Sequence, residues 1–189
     1  MNKITIKKVA IIGSGIMGSR IACHFANIGV KVLLLDICPK ELSEEEKKKG
    51  LNLKDKIVRN RIVNNSFFNT LKTKPKSFYL DENKKNISLG NIEDDINKIS
   101  KVDWVIEVVV EKLEIKKPVF EQIEKHRKKG TLITSNTSGI PVKQMTEGRS
   151  RDFVEHFCVT HFFNPPRYMK LLEIVPGEKT KKEIIKQIQ

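Results

Sequence analysis

His161 and Glu173 are the residues whose types and spacing most clearly suggest chemistry. His161 lies near the end of the apolar run FCVTHFF (157–163), and Glu173 stands twelve residues on, within KLLEIV (170–175). Both runs read as strands, and NPPRY between them reads as a turn. If the strands fold back across that turn, an antiparallel pairing can bring the two side chains together. A carboxylate beside an imidazole holds one tautomer and favours the imidazolium, so the histidine becomes a better base. Such a pair can take a proton from a hydroxyl group while hydride leaves for a nicotinamide. On spacing alone, however, a lone strand histidine reads more often as a satisfied core residue.

A second constellation lies near the N-terminus. Gly13, Gly15 and Gly18 form GSGIMG, directly after the apolar run KKVAII (7–12) and at the start of a helical pattern. In that setting the three glycines have distinct uses: a tight turn, room for a pyrophosphate, and close packing of helix on strand. Ile16 and Met17 lie within the same expected cofactor-binding turn. The free N–H groups and positive dipole end of the helix suit an anion. Asp36 ends the next strand, 18 residues beyond Gly18. Its carboxylate can accept hydrogen bonds from ribose hydroxyls and would repel a 2′-phosphate, so the expected cofactor is NAD rather than NADP. The bland alternative is three turn glycines and a capping aspartate.

These residues need a scaffold, and the remaining pattern describes one. After 7–12, the stretch IMGSRIACHFANIG has apolar positions at helical spacing, and KVLLLD (31–36) reads as a second strand. Together they make a βαβ unit. Residues 39–101 are more polar. Leu51, Leu53, Ile57, Val58 and Ile62 predict a one-sided helix there, followed by a loop over 72–91 with a short strand at 87–89. Alternation then resumes: a buried strand at 102–110, a helix at 112–128, a strand at 131–135, and a turn with a short helix in SNTSGIPVKQMTEG. The expected fold is α/β, a Rossmann-type doubly wound sheet, mostly parallel, with a helical excursion after the second strand. The closing KTKKEIIKQIQ begins a further helix. The expectation is one domain, residues 1–189, of a larger protein.

Composition narrows the partners. The 189 residues are 39% apolar and 31% charged, a balance suited to one globular domain. The net charge is 36 − 23 = +13. The lysines are scattered rather than interleaved with aromatics, which argues against nucleic acid and fits solvated surface charge. Cys23, Cys38 and Cys158 are widely spaced and form no CxxC motif, so neither a disulfide framework nor a metal site is expected. The N-terminal apolar stretch is too short for a signal peptide, and no run has the length of a membrane span. A cytoplasmic location is expected.

The blocks GSGIMG, VIEVVVEKLEIKKPVF, SNTSGI and HFFNPPRYMKLLEIV occur in one order. Together they resemble the NAD-binding domain of the 3-hydroxyacyl-CoA dehydrogenase family over nearly the whole chain, and most closely the domain that opens multifunctional fatty-acid β-oxidation proteins. The resemblance implies an oxidoreductase acting on an acyl-CoA substrate, with NAD as cofactor. It implies that His161 is the general base and Glu173 its partner. It implies that Ser138 contacts substrate and cofactor, that Asn164 lies near the nicotinamide, and that Glu111 and Lys116 contact NAD. It also implies a multidomain or homodimeric parent with a C-terminal helical domain, and little turnover by this piece alone. Read without the resemblance, Ser138 and Asn164 are turn residues, Glu111 a helix-start acid and Lys116 a solvated lysine. Arg59 and Arg61 are candidates for the phosphates of CoA. Two other readings stay open: a non-catalytic NAD-binding remnant or scaffold, and a Rossmann reductase of another substrate class, which would lack the HFFNP-type pair.

Overall fold

The computed structural model describes residues 5–189. The first residues of the N-terminal stretch considered above, 1–4, lie outside the described residues. The chain begins with β1 (Lys8–Ile12), α1 (Ile16–Asn27) and β2 (Lys31–Asp36). The excursion holds α2 (Glu44–Lys48), α3 (Lys56–Arg59) and α4 (Arg61–Leu71), then β3 (Ile87–Asn91) and α5 (Ile92–Asp95). There follow β4 (Trp104–Glu107), α6 (Leu113–His126), β5 (Leu132–Ser135), α7 (Val142–Thr146) and α8 (Arg151–Glu155). The chain closes with β6 (Phe157–Phe162), β7 (Leu172–Pro176) and α9 (Lys182–Ile188).

The strands form one sheet in the order β3-β2-β1-β4-β5-β6-β7. All neighbours are parallel except β6 and β7. The chain winds outward from β1 to β3, then crosses back to lay β4 on the other side of β1. At this reversal the connections leave in opposite directions and a crevice opens beyond the carboxyl ends of β1 and β4.

Both faces of the sheet are covered, so the central strands are apolar on successive residues rather than alternate ones. Val9 and Ile11 enter one core, with Phe25, Val63, Trp104 and Phe162. Ala10 and Ile12 enter the other, with Phe120, Ile123, Phe153 and Phe157. Edge-to-face aromatic pairs centre each layer: Phe25 with Trp104 at 5.3 Å, and Phe120 with Phe157 at 5.3 Å.

The doubly wound architecture agrees with the sequence reading, and three local differences have physical causes. The strand expected over 102–110 stops at Glu107. Its own carboxylate takes the Val109 N–H at 2.6 Å, so that donor leaves the ladder. The single helix expected from Leu51 to Ile62 is instead two. Residues 51–55 stay irregular, held by Asn52 and Asp55 side chains that capture nearby backbone N–H groups, and α4 runs on to Leu71. The expected loop over 72–91 contains a 3₁₀ turn at Asp81–Asn86, and its short strand lengthens to the whole of β3, paired with β2.

Gly18 shows how tightly α1 sits on the turn after β1. A Cβ there would lie 1.9 Å from the Gly13 carbonyl oxygen, a backbone atom. Gly18→Ala is expected to cost about 3 kcal/mol through forced separation of helix and turn, a drop of roughly 6–12 °C in Tm. Thermal unfolding followed by circular dichroism checks this; an unchanged Tm would show that the turn yields freely.

Candidate active site

The turn between β1 and α1 is tied to β2. Gly13 N donates to the Leu35 carbonyl at 2.8 Å, and Ser14 donates to Asp36 Oδ2 through its N–H at 2.6 Å and its hydroxyl at 2.5 Å. Gly13 has φ +104°, and a Cβ there would meet the Val108 carbonyl oxygen at 2.6 Å, so the turn requires glycine on both counts. Gly15 is different: a Cβ would meet nothing within 4 Å. The open space lies at the start of α1, a twelve-residue helix whose first turn has no side-chain cap and no acidic residue. Uncapped N–H groups facing an open hollow fit the pyrophosphate of a dinucleotide.

At the far side of the crevice, β6 and β7 pair with His161 opposite Glu173. His161 Nδ1 and Glu173 Oε2 are 2.8 Å apart. The carboxylate accepts a hydrogen bond from the ring, which places the proton on Nδ1 and leaves an Nε2 lone pair able to accept a proton. Phe163 lies against the imidazole at 4.7 Å between ring centres.

A cleft of about 350 Å³ joins these parts, lined among others by Met17, Glu111, Asn136, Ser138, His161 and Asn164. Met17 belongs to α1, so the glycine helix and the histidine share one opening. Asn164 presents its Oδ1 to the Arg20 guanidinium. Ser138 is exposed at the cleft, and its side also borders a second hollow that holds Glu173. Glu111 Oε1 gathers the Thr137 hydroxyl, the Ser138 N–H at 3.2 Å and the Gly139 N–H at 3.4 Å. Burial by itself would raise the Glu111 carboxyl, but the Thr137 hydroxyl, the Lys116 ammonium and the Ser138 N–H outweigh it and hold it below the ordinary value.

Lys116 is neither a solvated lysine nor part of the cleft lining. It has no exposed surface, and its ammonium donates to both Glu107 oxygens at 2.8 and 3.0 Å. It also pairs with Glu111 Oε2 at 3.2 Å. The reason lies in helix geometry: Lys116 shares the inward stripe of α6 with Phe120 and Ile123. Arg59 and Arg61 are likewise engaged. Arg59 pairs with Glu93 and Asp94, and Arg61 with Glu46, on the β3 side of the sheet.

Three further residues at the site are given no role by the sequence reading. Asn136 Oδ1 accepts the Phe162 N–H at 2.9 Å, clamping the end of β6 beside the histidine. Thr137 holds Glu111, and buried Glu107 holds Lys116. A signal existed for each: the first two sit in SNTS, and Glu107 is a lone acid in an apolar strand, which demands a partner.

A mostly parallel α/β sheet with a glycine turn at its crossover and an acid ending β2 defines the dinucleotide-binding class of domain. The family model for the 3-hydroxyacyl-CoA dehydrogenase NAD-binding domain matches residues 8–189, and the chain belongs to that family. It is 52% identical over 181 residues to a probable 3-hydroxyacyl-CoA dehydrogenase of Bacillus subtilis, covering 96% of this chain and 23% of that protein. It is 40% identical over 183 residues to a putative fatty acid oxidation complex trifunctional enzyme of Rickettsia felis, covering 97% of this chain and 24% of that one. Among solved structures, 3-hydroxybutyryl-CoA dehydrogenase from Escherichia coli superposes with a TM-score of 0.69 at 32% identity, over 98% of this chain and 35% of that one. The chain thus spans about a quarter to a third of the length of these three proteins. Its cofactor is NAD.

Two outcomes follow from the site's construction. Gly15→Ala points a methyl group into open space, so Tm should stay within about 2 °C of wild type while NADH binds at least about tenfold more weakly. Fluorescence titration and a thermal melt together check this. Lys116→Met leaves the Glu107 carboxylate buried without its counter-charge, with an expected cost of about 3–5 kcal/mol in urea unfolding, much of it recovered when Glu107→Gln is added.

Proposed function

We propose that this chain is the cofactor-binding and proton-transfer part of an NAD-dependent L-3-hydroxyacyl-CoA dehydrogenase of fatty-acid β-oxidation. The reaction is the oxidation of an (S)-3-hydroxyacyl-CoA to a 3-oxoacyl-CoA. The observation that carries this reading is the 2.8 Å contact between His161 and Glu173 beside a cleft shared with the glycine helix. The relatives' names, 3-hydroxyacyl-CoA dehydrogenase and fatty acid oxidation complex, support the substrate class and the pathway.

Bound NAD supplies the acceptor for the hydride that leaves C3 of the acyl chain. The chain's own residues do the rest. Nε2 of His161 takes the proton of the C3 hydroxyl, and Glu173 stabilises the imidazolium that results. Ser138 donates its hydroxyl hydrogen bond to the reacting oxygen and orients substrate against cofactor. Gly15 and the backbone of Ile16 and Met17 receive the pyrophosphate, on a turn that Gly13 closes and Gly18 packs against the helix. Asp36 accepts the ribose hydroxyls. Asn164, steadied by Arg20, borders the nicotinamide. Glu111 contacts the cofactor directly, and Lys116 acts through Glu111. Because the three relatives compared above are about three to four times longer, the acyl-CoA is held in part by segments beyond this match, and turnover by the 189 residues alone is slow.

The test is NADH-dependent reduction of acetoacetyl-CoA, followed at saturating substrate, with NADH binding measured in parallel. His161→Gln should leave NADH affinity within about threefold and lower the rate by about 10³-fold. A rate equal to wild type would remove the histidine from the chemistry and favour a domain that binds NAD without catalysis.

A further inference from the structure

We infer that Glu107 and Thr137 are positioning residues for Ser138, acting through Lys116 and Glu111. The inference rests on the dehydrogenase reading, which assigns Ser138 to the reacting oxygen.

Ser138 has little to hold it by itself. It is exposed, on the turn after β5. Three donors of the turn, the Thr137 hydroxyl and the N–H groups of Ser138 and Gly139, converge on one atom, Glu111 Oε1. Thr137 does double duty, since its oxygen also accepts the Ile140 N–H at 3.2 Å. The position of the serine is therefore the position of Glu111.

Glu111 stands on the connection between β4 and α6 with a side chain 41% exposed, and needs an anchor of its own. Its second oxygen finds one in Lys116 at 3.2 Å. Lys116 is in turn fixed by both oxygens of Glu107. Glu107 cannot move: it ends β4 in the middle of the sheet, and it accepts the Ser135 hydroxyl and the Val109 N–H as well. Charge-assisted hydrogen bonds and one ion pair, Lys116 to Glu111, thus lead without a break from the rigid sheet to the serine turn.

Stability alone is a poor account of this cluster. Three charges with a net of −1 lie beneath the cleft, two of them with no exposed surface. Apolar side chains of similar volume would hold strand and helix together as well or better. What an apolar pair cannot do is fix Glu111, and through it the turn.

The experiment compares wild type, Glu107→Gln, Thr137→Val and Thr137→Ser. Thr137→Val is isosteric and loses only the hydroxyl, so it serves where Glu107→Gln fails to fold. Hydrogen exchange of the cofactor-free chain is read over 135–141. Expected is about tenfold faster exchange at Ser138 and Gly139 in Thr137→Val, with wild-type protection in Thr137→Ser. In acetoacetyl-CoA reduction, Thr137→Val should lower kcat by about 10–100-fold with KM moved less than about threefold, because the serine bond strengthens in the transition state. Combined with Ser138→Ala, Thr137→Val should cause no further loss in kcat. Unchanged exchange at Ser138 and Gly139 overturns the inference, as does full additivity with Ser138→Ala. A wild-type chain that fails to bind NADH overturns the functional reading instead, while the exchange data still decide whether the brace exists.

Discussion

The register between β6 and β7 is the constraint on which the site depends. Thr160 lies opposite Ile174 and Phe162 opposite Leu172, which leaves His161 facing Glu173. A slip of one residue would turn Glu173 to the other face of the sheet and put an aliphatic side chain beside the imidazole. The register is held at both ends. Asn136 clamps the Phe162 N–H at the rim, and Thr180 donates to the Phe157 carbonyl at 2.6 Å at the other end. Phe157 and Val159 precede His161 on the same face and are buried against α6, α7 and α8. The face that drives β6 into the core therefore also delivers the histidine, at the point where the strand reaches the rim of the sheet.

The rim gathers the rest. The parallel strands β1, β4, β5 and β6 end along one side, so the turns after them meet there without any long loop. Beyond the last backbone bonds, each turn is also fastened to its neighbour by a side chain: Ser14 to Asp36, Asn136 to β6, Glu111 to the turn after β5. Polar side chains take over where backbone pairing stops. This explains why so many of the buried polar residues, Ser14, Glu107, Ser135 and Thr137 among them, sit at strand ends rather than within strands.

The parts of this arrangement legible in the sequence are those governed by short-range pattern. The βαβ unit and its glycine turn follow from apolar runs, a helical period and Gly13, Gly15 and Gly18. The pairing of His161 with Glu173 follows from two strands flanking a Pro-rich turn. Less legible is whatever depends on a side chain replacing a backbone partner. The end of β4 is set by the Glu107 carboxylate capturing the Val109 N–H, which no hydrophobic pattern records. The burial of Lys116 was written in the spacing to Phe120 and Ile123, but a lysine reads as solvent-facing until its acidic partners are known. The break of the excursion into α3 and α4 depends on Asn52 and Asp55 competing for backbone donors, a choice that the apolar positions from Leu51 to Ile62 do not reveal.

The link from Ser14 to Asp36 bears on how a cofactor is admitted. Both Ser14 donors occupy Oδ2, while among the described residues Oδ1 receives the adjoining Ile37 N–H, at 2.8 Å. The acid is thus held in place by the fold, and on the proposed reading an arriving nucleoside would meet a receptor already ordered. On that proposed role, recognition at this end would lose little entropy on association, and an added phosphate would be repelled by a carboxylate held in place by Ser14.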